Sequence, residues 1–458
     1  MTGEQSRRAF LKRAAAFGLV GGAAPFVMNL AAIGEAAAAT ATDYKALVCI
    51  FLFGGNDYAN TVTPYDQPSY DLYAGLRGTI AHSKASLGQT ILVPNTALSG
   101  GRQYALAPNL TSLVPLFDAG RLAVLLNVGA LVQPTSKTNY LNKSVPLPPK
   151  LFSHNDQQSF WQASNPEGAT TGWGGRIGDL LQSGNGTATL TCINASGNSV
   201  FLSGNTAVQY GVTTTGPVPL LNNAAALYSS SAGMSALRAL MTGQRPNLFE
   251  AEHAKVTKRS LDLQAQVSAA LAAGPAIATP FPLQNSLGDQ LRIVARLISV
   301  SQELGAKRQV FFVSLGGFDT HDSVLTTHPI LMTRLGAAMK AFYDATVELG
   351  VADKVTAFTA SDFGRTLTSN ANGSDHGWGS FHFAMGGAVH GRDYYGAPPA
   401  IANNGPDDVG QGRLLPSLSV DQYAATLASW FGVSAGQMPT VLPNINNYNP
   451  STWNLGFV

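Results

Sequence analysis

Charge is scarce in this chain: only 12% of its 458 residues are Asp, Glu, Lys or Arg. The 28 basic and 26 acidic residues nearly cancel. Such a balance gives no basic face for nucleic acid and no polybasic patch for an anionic membrane. Cysteine is scarcer still, with two residues, Cys49 and Cys192. Cys49 lies in the apolar run Ala46-Leu47-Val48-Cys49-Ile50-Phe51-Leu52 and reads as a packed thiol. An oxidising compartment would permit a Cys49–Cys192 bond, but spacing alone does not place the two together. Familiar glycine motifs are missing as well. There is no G-x-x-x-x-G-K-[ST], and Gly54-Gly55-Asn56-Asp57 lacks the spacing of a dinucleotide fingerprint. No G-x-S-x-G elbow, internal repeat or coiled-coil heptad is present.

What the chain does have begins at its start. Ser6-Arg7-Arg8-Ala9-Phe10-Leu11-Lys12 precedes an apolar stretch from Ala14 to Ile33, then the small-residue run Ala36-Ala37-Ala38-Ala39-Thr40-Ala41. This pattern is a twin-arginine export signal, which carries proteins already folded. Gly18, Gly21, Gly22 and Pro25 weaken a spanning helix, so residues 1–38 are expected to be cleaved and to leave no stable membrane span. The signal holds four of the basic and two of the acidic residues, which leaves 24 of each in the mature chain. The expected location is the periplasm or cell envelope, and the expected partner for export is the twin-arginine translocation machinery.

Residues 39–458 are expected to form one large α/β domain. Lys45 to Phe53, Arg121 to Val128, Arg308 to Leu315 and Lys354 to Ala360 are near-continuous apolar runs, as in strands buried on both faces of a parallel sheet. Helical stretches stand between them, notably Asn109 to Ala119 and Leu331 to Leu349. Long helices are expected over about 247–273 and 286–304, and another over 420–431 with Ser419 or Asp421 near its start. This alternation predicts a three-layer α/β/α sandwich with a mostly parallel central sheet. The Gly-, Ser- and Thr-rich stretch after Gly184 differs, and a β insertion or lid is expected over about 184–246.

Three of the predicted strands end in glycine or serine followed shortly by aspartate: Asp57, Asp319 and Asp362. Ligands of open α/β sheets bind outside the carboxyl ends of strands, so these three should converge. Asp319-Thr320-His321 and Asp375-His376 set carboxylate beside imidazole, the mixed O/N donors that suit Zn, Mn or Fe(II). His328, before Pro329, reads as an exposed loop residue, and His82 and His390 carry no signal. His382 alternates with Phe381 and Phe383 and faces away from them. In Phe152-Ser153-His154-Asn155-Asp156, Ser153 reads as a helix N-cap with Asp156 as capping partner. A hydroxyl placed there can also act as a nucleophile beside amides that stabilise anions.

The segments FLFGGNDYANTVTPYD (Phe51 to Asp66), FSHNDQQSFW (Phe152 to Trp161), SLGGFDTHDS (Ser314 to Ser323), TASDFGRT (Thr359 to Thr366), SDHGWGSFHFAMGGAV (Ser374 to Val389) and VDQYAATLASWFGV (Val420 to Val433) together resemble the exported bacterial family known as domain of unknown function 1501. That family is similar to a distant branch of the alkaline phosphatase and sulfatase superfamily. The resemblance implies an alkaline phosphatase-like sandwich with a two-metal site at the sheet edge. It implies metal ligation by Asp57, Asp319, His321, Asp362 and His376, and Ser153 at the place of the helix-capping nucleophile. Asp319 and His321 are two residues apart where the superfamily spaces them by four, and Phe363 stands where a histidine usually follows the later aspartate. One firm divalent site, Zn or Mn, is therefore expected, with the second altered. No C-x-P-x-R surrounds either cysteine, which excludes a formylglycine sulfatase. The expected activity is metal-dependent hydrolysis of a small phosphate or sulfate ester, with Ser153, His154 and Arg365 as catalytic candidates. The rival expectation is a non-catalytic envelope binding or assembly protein on the same scaffold.

Overall fold

The structure is a computed structural model that describes residues 43–221 and 226–458; the expected signal, residues 1–38, lies outside the described residues. Asp43–Val458 forms one compact unit. Its frame is a single sheet whose main strands are β1 (Lys45–Phe53), β2 (Leu122–Gly129), β3 (Cys192–Asn194), β4 (Arg308–Gly316), β5 (Val355–Ser361) and β6 (Ser380–Gly386). Their order across the sheet is β2-β6-β5-β1-β4-β3, extended at the edges by Tyr394–Tyr395 beside β2 and by Tyr210–Thr213 beside β3. β5, β1, β4 and β3 run parallel. β6 is antiparallel to both β5 and β2.

The apolar runs fill both faces of the sheet, as a parallel sheet buried between helices requires. Along β1, Ala46, Val48, Ile50 and Leu52 enter one apolar cluster. The alternate residues Leu47, Cys49 and Phe51 enter the other. Five helices shape the molecule most: α1 (His154–Ala163), α2 (Trp173–Leu181), α3 (Ser286–Ser299), α4 (Val324–Glu348) and α5 (Val420–Phe431). α3 and α4 cover the first face through Leu287, Leu291, Val294, Met332, Leu335 and Met339. α2 and α5 cover the second through Trp173, Ile177, Tyr423, Leu427 and Phe431. The three-layer α/β/α sandwich expected from the sequence is thus the observed fold.

Some local expectations differ. The stretch after Gly184 places β3 inside the central sheet instead of in a separate lid, and its hairpin is confined to Tyr210–Thr213 and Gly216–Pro217. Asn109 to Ala119 is a 3-10 segment, Pro108–Leu113, that runs into a short α-helix, Val114–Asp118. α4 begins at Val324, earlier than expected, and passes through Pro329. His328 is consequently buried and not an exposed loop residue. Cys49 and Cys192 are both free, buried thiols. Among the described residues no helix is long and apolar enough to cross a membrane.

Candidate metal centre

β5, β1 and β4 are adjacent and parallel, so the segments that follow them leave the same edge of the sheet. Gly54 and Gly55 turn the chain after β1 with φ of 116° and 85°. A Cβ on Gly54 would lie 2.4 Å from the Asp319 nitrogen, so only glycine lets the turns after β1 and β4 approach this closely. Asp319 is thereby held at the edge, 47% exposed, with Arg365 Nη1 donating to its Oδ1 at 2.7 Å.

Three imidazoles meet that carboxylate. His321 Nε2 lies 3.1 Å and His376 Nε2 3.3 Å from Asp319 Oδ1. His154 Nε2, in the first turn of α1, lies 3.5 Å from Oδ2. The ligand atoms of His154, Asp319 and His376 fall within 4.8 Å of one another. His321 Nε2 stands 2.9 Å from His376 Nε2.

Each ring is oriented through its other nitrogen. His154 Nδ1 donates to Asp362 Oδ2 at 2.7 Å. His376 Nδ1 donates to the Phe152 carbonyl at 2.7 Å. His321 Nδ1 donates to Asp375 Oδ1 at 3.1 Å. A carbonyl only accepts, and a carboxylate accepts from a ring N–H, so each Nδ1 is placed as a donor and each Nε2, in the neutral ring, would turn its lone pair inward. Such outer partners are how proteins set the tautomer of metal-binding histidines. Burial, helped by Arg365, holds His376 below the ordinary imidazole pKa, against the pull of the Phe152 carbonyl. The hydrogen bond to Asp362 holds His154 above it. Burial works against the charge of Asp319, but the hydrogen bond and charge of Arg365 outweigh it and keep the carboxyl below its usual range.

Two inward lone pairs 2.9 Å apart repel unless a proton or a metal cation lies between them. Donors about 2.0–2.1 Å from a tetrahedral ion stand roughly 3.3 Å apart. Four of the contacts, 2.9 to 3.5 Å, are near that spacing, and the ligand atoms of His154, Asp319 and His376 lie within 4.8 Å of one another. Three imidazole nitrogens and one carboxylate could therefore hold one divalent ion, with the exposed sides of Asp319 and His321 open to solvent.

The other sequence candidates stand differently. Asp57 is fully buried in an ion pair with Arg77, accepts from Ser374 Oγ at 3.0 Å and caps the turn Tyr58–Thr61; it is not brought into the group of three imidazoles. The reason is packing: the helix Gln67–Arg77 ends with its arginine inside the same pocket. Asp362 is also fully buried and serves His154 and Gln158, whose amide donates to Oδ2 at 2.8 Å. Arg365 has no exposed surface and spends itself on Asp319 and on the carbonyls of Gly54 and Ser374. Ser153 is at the N-cap position of α1, yet its side chain caps no amide; Oγ donates to Asp156 Oδ2 at 3.0 Å. His382 is buried against Trp161 and Tyr423, away from this edge.

Sequence reasoning missed the place of His154 beside Asp319 and His376 and the roles of Gln158, Phe152 and Arg413. Phe152 adopts φ 71°, a strained conformation for a bulky residue, just where its carbonyl meets His376. Arg413 stacks 4.7 Å over the Phe152 ring and donates from Nε to the His376 carbonyl at 2.9 Å, tying the two segments together. A backbone carbonyl and a stacking arginine from distant segments leave no signature in the sequence. For His154, its place between the candidate nucleophile and the helix start drew attention toward catalysis.

The fold and the cluster define an α/β sandwich protein with an Asp/His centre at the carboxyl edge of its parallel strands. Residues 44–416 match the family model of DUF1501, a protein of unknown function, and the chain belongs to that family. Among solved structures, Ps i-CgsB in complex with k-i-k-neocarrahexaose is similar at 11% identity with a TM-score of 0.36, covering 89% of this chain and 78% of that one. A PsFucS1 sulfatase from Pseudoalteromonas sp. is similar at 10% identity with a TM-score of 0.34, covering 90% and 72%. No curated protein matches the sequence.

Proposed function

We propose that this protein is an exported, metal-dependent hydrolase of sulfate or phosphate esters. The observation that carries the reading is the convergence of three Nε2 lone pairs on Asp319 at a solvent-open sheet edge. A bound divalent cation would polarise an ester oxygen and lower the pKa of an attacking hydroxyl or water. The residues of the chain supply the rest. Asp156, buried beside the hydroxyl of Ser153, is placed to take its proton. Lys150 lies 3.7 Å from Asp156 and is largely exposed, and Arg413 flanks Phe152; both offer positive charge to an anionic ester at the same turn. Arg365 keeps the Asp319 carboxylate oriented and ionised. Arg7 and Arg8 support export through the twin-arginine route to the periplasm or envelope.

The test is turnover of an aryl sulfate and an aryl phosphate by the exported protein, before and after chelation. Activity on one of them that is lost on chelation, regained with Zn and abolished in Asp319→Ala supports the reading. Ser153→Ala separates two routes: lost activity with retained metal indicates a covalent serine intermediate, and retained activity indicates direct attack by water. A metal-loaded protein inert toward both esters would instead favour a binding or assembly role for the cleft.

A further inference from the structure

We infer that this chain holds a single divalent ion in a site of His154, His321, His376 and Asp319, that Arg77 and Ser374 keep Asp57 from ligating a metal, and that Asp362 acts through His154. The inference rests on reading the cluster as a cation centre, and it is independent of whether an ester is turned over. Asp57 cannot serve a second ion without giving up Arg77, its buried counter-charge, and Ser374. Asp362 is drawn to His154 Nδ1 and the Gln158 amide at 2.7 and 2.8 Å through one oxygen. Its other oxygen, Oδ1, is buried without a hydrogen-bond partner. Through Oδ2, Asp362 acts as a positioning residue that turns His154 Nε2 toward Asp319. Arg365, between Asp319 and the Gly54 and Ser374 carbonyls, places a fixed positive charge between the cluster and the Asp57 pocket, where a second cation would be repelled.

The donor set also selects the metal. Imidazole-rich sites suit Zn and its neighbours, whereas Ca, Mg and Mn prefer carboxylate, carbonyl and water oxygens. Three nitrogens and one carboxylate as the donor set point to Zn and against a hard, oxygen-bound ion.

Cobalt(II) titration of the metal-stripped, signal-processed protein tests this, read by visible absorption and by equilibrium dialysis. The expected result is one equivalent bound with the intense spectrum of tetrahedral cobalt, displaced by Zn and not by Ca or Mg. His154→Ala and His321→Ala should each lose the tetrahedral spectrum. Asp362→Asn should keep the stoichiometry and the spectrum with affinity about 10–100-fold weaker, as for other outer partners of metal-bound histidine. Two equivalents, an octahedral spectrum, no binding, an unaltered His154→Ala protein, or complete loss of the ion in Asp362→Asn would each overturn the assignment. An inert enzyme with one tetrahedral cobalt would sink the hydrolase reading and leave this one standing.

Discussion

Asp57 and Asp421 are both fully buried carboxyls, and their surroundings push them in opposite directions. For Asp57, burial raises the pKa, but the Arg77 guanidinium, with help from Ser374, outweighs it and leaves the carboxyl below its ordinary value. A depressed folded pKa contributes stability that is present above the unfolded value, about 3.9, and is lost as pH falls through the folded value. Removing the carboxylate leaves Arg77 charged and buried, so Asp57→Ala should cost about 3–5 kcal/mol in urea unfolding at neutral pH. Asp421 lies beside Ser164 and Asn444 without a well-aligned hydrogen bond to either oxygen, and burial pushes its pKa up to about 7. Between about pH 4 and 7 the folded state then keeps a proton that the unfolded state releases, so stability falls as pH rises through that window, by on the order of 4 kcal/mol at the top of it. Asp421→Asn should flatten that part of the profile. An Asn variant with the same slope as the parent would show that the carboxyl is already ionised in the fold.

At the level of single elements, the carboxyl edge was legible because strand ends carry their own punctuation. The Gly-Gly turn before Asp57, the Gly-Gly-Phe before Asp319 and the Ser before Asp362 each closed an apolar run, and β5, β1 and β4 do leave the sheet together. The sequence could not tell which aspartate faces the cluster, because that depends on a partner distant in the chain. Arg77 comes from a helix 20 residues after Asp57 and Gln158 from one 204 residues before Asp362. The N-terminus of α5 was also legible: Ser419 accepts from the Gln422 amide while the Gln422 side chain accepts from the Ser419 amide. At α1 the same kind of pattern misled, because Ser153 bonds to the Asp156 side chain and leaves the amides uncapped. Ser419→Ala should therefore cost about 1 kcal/mol in chemical unfolding, the usual worth of an N-cap. Loss well below a few tenths would mean that burial of α5 and not its cap fixes that end.

For the molecule as a whole, the proposed metal centre, if filled before export, would suit a route that carries folded cargo. Replacing Arg7 and Arg8 together by Lys should leave the precursor in the cytoplasm, measured by fractionation and by the loss of the processed band. Undiminished processing in the periplasm would count against twin-arginine export. The sandwich itself was readable from four apolar runs, since burial on both faces of a sheet leaves a signal in composition alone. The strands Cys192–Asn194 and Tyr210–Thr213 were not, because three or four residues carry no periodicity long enough to distinguish sheet from loop.

The central claim, a cation held by imidazoles at the sheet edge, is tested most directly by anomalous diffraction from crystals of the natively exported protein. Data on either side of the Zn absorption edge should show one peak, enclosed by the Nε2 atoms of His154, His321 and His376 and the carboxylate of Asp319. No anomalous peak there from any transition metal, or a peak seated on Asp57 or on Asp362, would contradict it.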